Sequence, residues 1–240
     1  RVFRFENISN IQPSFAFVTK LFGAFILYYV YTEIYRDRQT ADIFKFYDDS
    51  LALAQVFFDS PSDFLKIIIG IHEDHFLMDY FINMNHWDNS YESVITNESR
   101  VIIKICAIIN LISLNNYVVN VIIFTMLGYI GIILTIRGLA LLYPSKYVTY
   151  LFWSVVLFPS IFIWSAGVLK EPLILLGLGM FLFGILSIHK KKEKKWFYWV
   201  LLGLGLVILL KVKFYIFCCI LPTVILLGLG TVKQYKPLPL

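Results

Sequence analysis

The side chains equipped for chemistry in this sequence are carboxylates placed near apolar runs and the cations beside them. Asp42 follows the first apolar run and is a candidate general base, a role that needs a carboxylate within reach of a reacting hydroxyl. At the head of a helical pattern it equally suits an N-cap. Glu171 interrupts a long apolar stretch, where an ionisable group is costly and tends to face a cavity or a partner. Lys170 beside it can balance its charge, and Pro172 suits a first helical turn. Arg36, Arg38, Arg100 and Lys170 flank the same runs. They can grip a phosphate, the arginines in bidentate fashion, or anchor at lipid headgroups. Asp48, Asp49, His72 and His75 are candidate ligands for a divalent cation, with no complete ligand constellation around them. The two histidines stand three apart, not four as in the zinc-protease pattern. No other cofactor is implied.

These groups sit on a chain built for lipid. Of its 240 residues 59% are hydrophobic and only 15% charged, and the mean hydropathy is +0.74, well outside the range of soluble domains. Apolar runs of roughly 18 or more residues recur, the length that crosses a hydrocarbon core of about 30 Å. The expectation is an all-α, polytopic transmembrane bundle with the lipid bilayer as its first partner. The net charge of +5 is not gathered on a soluble face, and no basic module is visible, so nucleic-acid binding is not expected. Cys106, Cys218 and Cys219 all lie inside apolar stretches and have neither disulfide nor zinc spacing.

The elements follow in order. A first span runs from about Phe15 to Tyr35, with Lys20 near enough to its end to snorkel. The interval 36–100 carries 12 of the 16 acidic residues and reads as an external acidic loop with helices on the membrane surface: Asp42 to Phe58, then Asp63 to Gly70. The segment 101–116 is apolar but short and holds Lys104 and Asn110, as expected of an interfacial helix. A transmembrane bundle occupies 117–232, with spans near Tyr117–Ile136, Tyr147–Leu169, up to Ile188, Trp196–Leu210 and Phe214–Leu229. Pro159 should kink or break the second of these, and Gly203 and Gly205 should allow close helix packing.

Placing Lys190, Lys191, Lys192, Lys194 and Lys195 in the cytoplasm satisfies the positive-inside rule at every loop if 101–114 does not cross. That solution has about six crossings and puts the acidic interval outside. The absence of an initiating methionine and of a signal pattern suggests part of a longer protein.

Three stretches carry a family likeness. They are Thr40 to Asp49, an acid and aromatic sequence just after the first span; Ser99 to Asn120, an interfacial helix entering the next span; and Phe158 to Glu171, a proline-serine stretch ending in an acid. Together they resemble the GT-C class of membrane glycosyltransferases. The likeness departs from the class in two places, since the adjacent acid pair is Asp48-Asp49 rather than at Asp42, and six spans are fewer than the family core. The Ile, Phe, Tyr, Asn and Lys richness is similar to that of membrane proteins from Bacteroidetes-type bacteria.

The resemblance implies a protein of the bacterial inner membrane that moves a sugar from a polyprenyl-phosphate donor to a cell-envelope acceptor on the external face. Asp42 would be the base, Glu171 would assist or orient the acceptor, and Arg36, Arg38, Arg100 and Lys170 would contact phosphate. The other reading is a non-enzymatic membrane subunit or transporter whose acidic loop docks a membrane-protein partner or gathers ions.

Overall fold

A computed structural model describes residues 8–9, 11–35, 37–38, 40–71, 75–87, 98–191 and 196–230. Among these the architecture is all-helical. Helix α1 (Ile11–Tyr29) runs on as a π-helical turn to Tyr35. Helices α2 (Asp42–Asp59), α3 (Pro61–Ile69) and α4 (His75–Met78) occupy the acidic segment, and α5 (Glu98–Ser113) follows it. The remainder comprises α6 (Tyr117–Ala140), α7 (Val148–Val156), α8 (Pro159–Trp164), α9 (Lys170–Lys191), α10 (Trp196–Val212) and α11 (Phe214–Gly230).

Three helices among the described residues are long and apolar enough to cross a bilayer: Ile11–Tyr35, Tyr117–Ala140 and Lys170–Lys190. Helices α10 and α11 are apolar but shorter. The expected span from Tyr147 to Leu169 is not one helix. It breaks at Leu157 and Phe158, because Pro159 cannot continue the hydrogen-bond ladder and instead opens α8 as its first residue.

Local chemistry sets several of the helix ends. Pro61 opens α3, and Gly70 closes it with φ +112°, its N–H donating to the Lys66 carbonyl at 3.0 Å, a left-handed cap that only glycine adopts without penalty. Asn116 caps α6 by accepting from the Val118 and Val119 N–H groups at 3.0 and 3.3 Å. Leu114 and Asn115 both take positive φ in the tight turn that folds α5 back along α6. The buried positions of α5, Ser99, Ile102, Ile103, Cys106, Ala107, Ile109, Asn110 and Ser113, recur at helical spacing and form one stripe that packs against α2 and α6.

A buried polar network crosses that interface. Asn110 Nδ2 donates to Ser50 Oγ at 2.8 Å, Ser50 Oγ donates to the Tyr47 carbonyl at 2.6 Å, and Asn120 Nδ2 donates to Asn110 Oδ1. These bonds fix the register of α2, α5 and α6, since any slip leaves amide groups buried without partners.

Glycines bring α6 and α9 into backbone contact. A Cβ on Gly131 would lie 2.2 Å from the Leu175 carbonyl oxygen, and one on Gly179 would lie 2.1 Å from the Gly131 oxygen. Gly128 faces Pro172 and Gly138 faces Leu182 and Phe183, so the two helices run parallel. Helix α10 runs antiparallel to α9, with Gly205 against Phe181 and Gly184 against Tyr198 and Leu202. Gly205 therefore does pack as its spacing suggests, whereas Gly203 meets open space. A parallel pair needs the chain to return between them, and the broken pair α7–α8 carries it back.

Lys20 departs from its expected snorkelling. It is fully buried, and its Nζ donates to the carbonyl oxygens of Ile161 and, at 2.9 Å, Phe162. Both carbonyls lie near the C-terminal end of α8, where the negative end of the helix dipole favours a cation. Gly23 permits the approach, because a Cβ at that position would lie 2.6 Å from the Phe162 oxygen.

Candidate functional site

Between α8 and α9 the chain runs as a buried, non-helical link, Ser165 to Leu169. Irregular backbone within a bundle must find hydrogen bonds inside the protein. Here Gly167 turns at φ +96°, its N–H donates to Thr125 Oγ1 at 3.2 Å, and Ser165 Oγ donates to the Ile161 carbonyl. The link delivers Lys170 and Glu171 as the first two residues of α9, where the unpaired N–H groups of a helix start favour negative charge.

Lys170 and Glu171 line a cavity of about 230 Å³ with Lys45 of α2, Ser99 of α5, Trp164 of α8, and Lys213 from the junction of α10 and α11. Among the described residues its lining charges are three lysines against one glutamate. The Lys170 ammonium also lies 5.3 Å from the centre of the Phe46 ring. With His86 from the 85–86 turn, five segments remote in sequence thus converge at one end of the bundle.

Two further cavities adjoin this one. An apolar cavity of about 510 Å³ shares Trp164, Glu171 and Lys213, and is walled by Ile161, Ile174, Leu175 and Ile216. A polar cavity of about 400 Å³ on the other side shares Lys45 and His86, and is walled by Arg38, Thr40, Asp48 and Asn85.

The structure brings some expected residues together and separates others. Glu171 and Lys170 face one cavity. Arg38 belongs to the polar cavity, where Nη2 and Nε donate to the Asp48 carboxylate at 2.6 and 3.1 Å, and its guanidinium lies 4.2 Å from the Phe44 ring centre. Arg100 lines none of the three cavities. Its Nε donates to the Trp87 carbonyl at 3.2 Å, and its guanidinium stands 5.5 Å from the Trp87 ring centre. Asp42 is the first residue of α2, one turn ahead of Lys45, and Ala41 rather than Asp42 occupies the N-cap position. The side chains of Asp42 and His75 lie outside the described residues, as do Arg36 and His72 altogether.

Asp49 is buried, with Oδ1 accepting from the Asn85 N–H at 3.0 Å and Oδ2 from the His86 N–H at 2.7 Å. Burial pushes its carboxyl above the ordinary range, and the two backbone donors pull it part of the way back. Both oxygens therefore anchor the 85–86 turn, while those of Asp48 take Arg38. Among the described residues no three His, Cys, Asp or Glu side chains gather into a group that could hold a metal ion.

Lys45, His86, Trp164 and Lys213 are site residues that the sequence did not single out. Lys213 stands between two apolar runs and reads only as a turn, and Lys45 lies in an ordinary amphipathic pattern. No family model matches the chain, and neither a curated protein nor a solved structure matches it.

Proposed function

We propose that this chain is a membrane glycosyltransferase of GT-C type that holds a polyprenyl-phosphate sugar with its phosphate in the lysine-lined cavity and its chain in the apolar one. One observation carries the reading: a cavity with an excess of cations, Lys45, Lys170 and Lys213, opens beside an apolar cavity through the shared residues Trp164, Glu171 and Lys213. An amphiphile with an anionic head needs both environments side by side.

In the proposed step an acceptor hydroxyl oxygen bonds to the anomeric carbon as that carbon's bond to the phosphate oxygen breaks. The bonding pair leaves with the lipid phosphate, whose charge the lysines stabilise. The hydroxyl proton passes to Asp42, at the head of the helix that supplies Lys45, and Glu171 orients the acceptor. The proposal places the chain in a bacterial inner membrane with six crossings, α7 and α8 jointly making one, and with the 36–100 segment external.

The test is transfer of radiolabelled sugar from polyprenyl phosphate in membranes holding the full chain. Glu171→Gln should lower transfer about 100-fold or more while lipid-phosphate binding persists. Undiminished transfer in that variant removes Glu171 from the reaction. Binding without any transfer favours the non-enzymatic subunit.

A further inference from the structure

The polar cavity differs in kind from its neighbour. Among the described residues its lining sets two cations, Arg38 and Lys45, against two carboxylates, Asp48 and Asp49, a balanced set that favours neither sign of ion. What it offers is a mixed set of hydrogen-bonding groups: the Arg38 guanidinium and Asp48 carboxylate beyond their own pairing, the Lys45 ammonium, the Thr40 hydroxyl, which donates to Asp37 Oδ2 at 2.6 Å and keeps its lone pairs, the Asn85 amide and the His86 imidazole. Its volume of about 400 Å³ falls within the roughly 300–1,000 Å³ of small-molecule sites, and its walls combine the polar ends of these side chains with their carbon stems. A neutral ligand carrying hydroxyls at every edge matches such a lining, since each hydroxyl both donates and accepts.

The geometry is held from beneath. The Asp49 carboxylate ties the Asn85 and His86 backbone at 3.0 and 2.7 Å, fixing the turn that carries two of the wall residues. The Arg38–Asp48 pair is bidentate and stacked on Phe44, which fixes a third and a fourth. A preorganised wall of this kind loses little conformational entropy on binding.

We propose that this cavity is a saccharide-binding site, taking the uncharged polyhydroxylated portion of a glycan. Resting on the transferase reading above, it is the acceptor's seat, adjoining the lysine-lined cavity at Lys45 and His86, which line both. An acceptor hydroxyl presented across that shared wall meets the phosphate-linked sugar without leaving the protein.

The test is saturation-transfer NMR on the full chain in nanodiscs, free of glycoside detergents, with methyl α-mannoside, methyl β-galactoside and methyl β-N-acetylglucosaminide as probes. At least one glycoside should receive saturation on its ring protons. Thr40→Val and Asn85→Ala should each weaken that binding about three- to tenfold, the worth of one hydrogen bond. Asn85 is exposed, as is Thr40, so neither change removes a buried contact. Polyprenyl-phosphate affinity, measured on the same samples, should be unchanged in both variants.

The saccharide site is overturned if none of the glycosides receives saturation, or if the signal survives both substitutions. Glycoside binding that depends on Thr40 and Asn85, in a protein that ignores polyprenyl phosphate, keeps this site and overturns the lipid-phosphate reading. Lipid-phosphate binding without glycoside binding does the reverse.

Discussion

Lys20 and Lys104 show how burial changes what a lysine does. Each has the sequence context of a membrane-edge cation, yet Lys20 closes the end of α8 from inside the bundle. Lys104 sits on the half-buried side of α5, 5.8 Å from the Trp87 ring centre. Burial first, then the nearby Arg100 and Lys211 charges, push its ammonium down to about 8 from an ordinary 10.5. Between those two values the unfolded chain still holds the proton and the folded chain has released it, so folding stability from this group rises with pH across that window. The increase in thermal stability between pH 8 and pH 10 should therefore be smaller in Lys104→Met than in the parent. An identical pH dependence in both would contradict the burial of this ammonium. Trp87, stacked on Phe81 at 4.3 Å and flanked by Arg100 and Lys104, explains why Arg100 is absent from the cavities: its reach is spent on an aromatic anchor 13 residues away.

At the scale of elements, the contact between α6 and α9 is the joint on which the site depends. Those helices meet through Gly128, Gly131 and Gly179, and α9 starts at the cavity, so separating them displaces Lys170 and Glu171 together. Gly131→Ala should cost about 3 kcal/mol or more, because the added carbon meets rigid backbone rather than a movable side chain. Gly203→Ala, in open space on α10, should be neutral or gain up to about 1 kcal/mol from helix propensity. Denaturant or thermal titration of the two variants compares them directly, and equal stabilities would contradict the parallel packing.

The helices α2, α3, α6 and α9 were legible from periodicity, caps and apolar length. The break at Pro159 was legible too, but not the buried link from Ser165 to Leu169, whose stability comes from Thr125 on another helix. The close approach at Gly131 and Gly179 was equally hidden. A glycine in an apolar run looks the same whether it faces lipid or a neighbouring backbone.

For the whole molecule, composition was enough to indicate a helical membrane protein, and three helices have the length and apolarity for it. The site was legible only in part. Lys170 and Glu171 stood out because a charge inside an apolar run is costly. Lys45, His86 and Lys213 did not, because their proximity is created by the convergence of α2, the 85–86 turn and the α10–α11 junction on the head of α9. Spacing along one strand of sequence carries no record of that meeting.

The claim that organises these scales is that the lysine-lined cavity and its apolar neighbour together hold a lipid phosphate. Native mass spectrometry of the full chain with undecaprenyl phosphate, and with the uncharged alcohol undecaprenol as control, tests it most directly. The phosphate should bind one per chain and at least tenfold more tightly than the alcohol, and Lys45→Met and Lys213→Met should each weaken it about tenfold or more, as expected for loss of a charge-assisted hydrogen bond. Equal binding of phosphate and alcohol, or affinities untouched by both substitutions, would contradict the account.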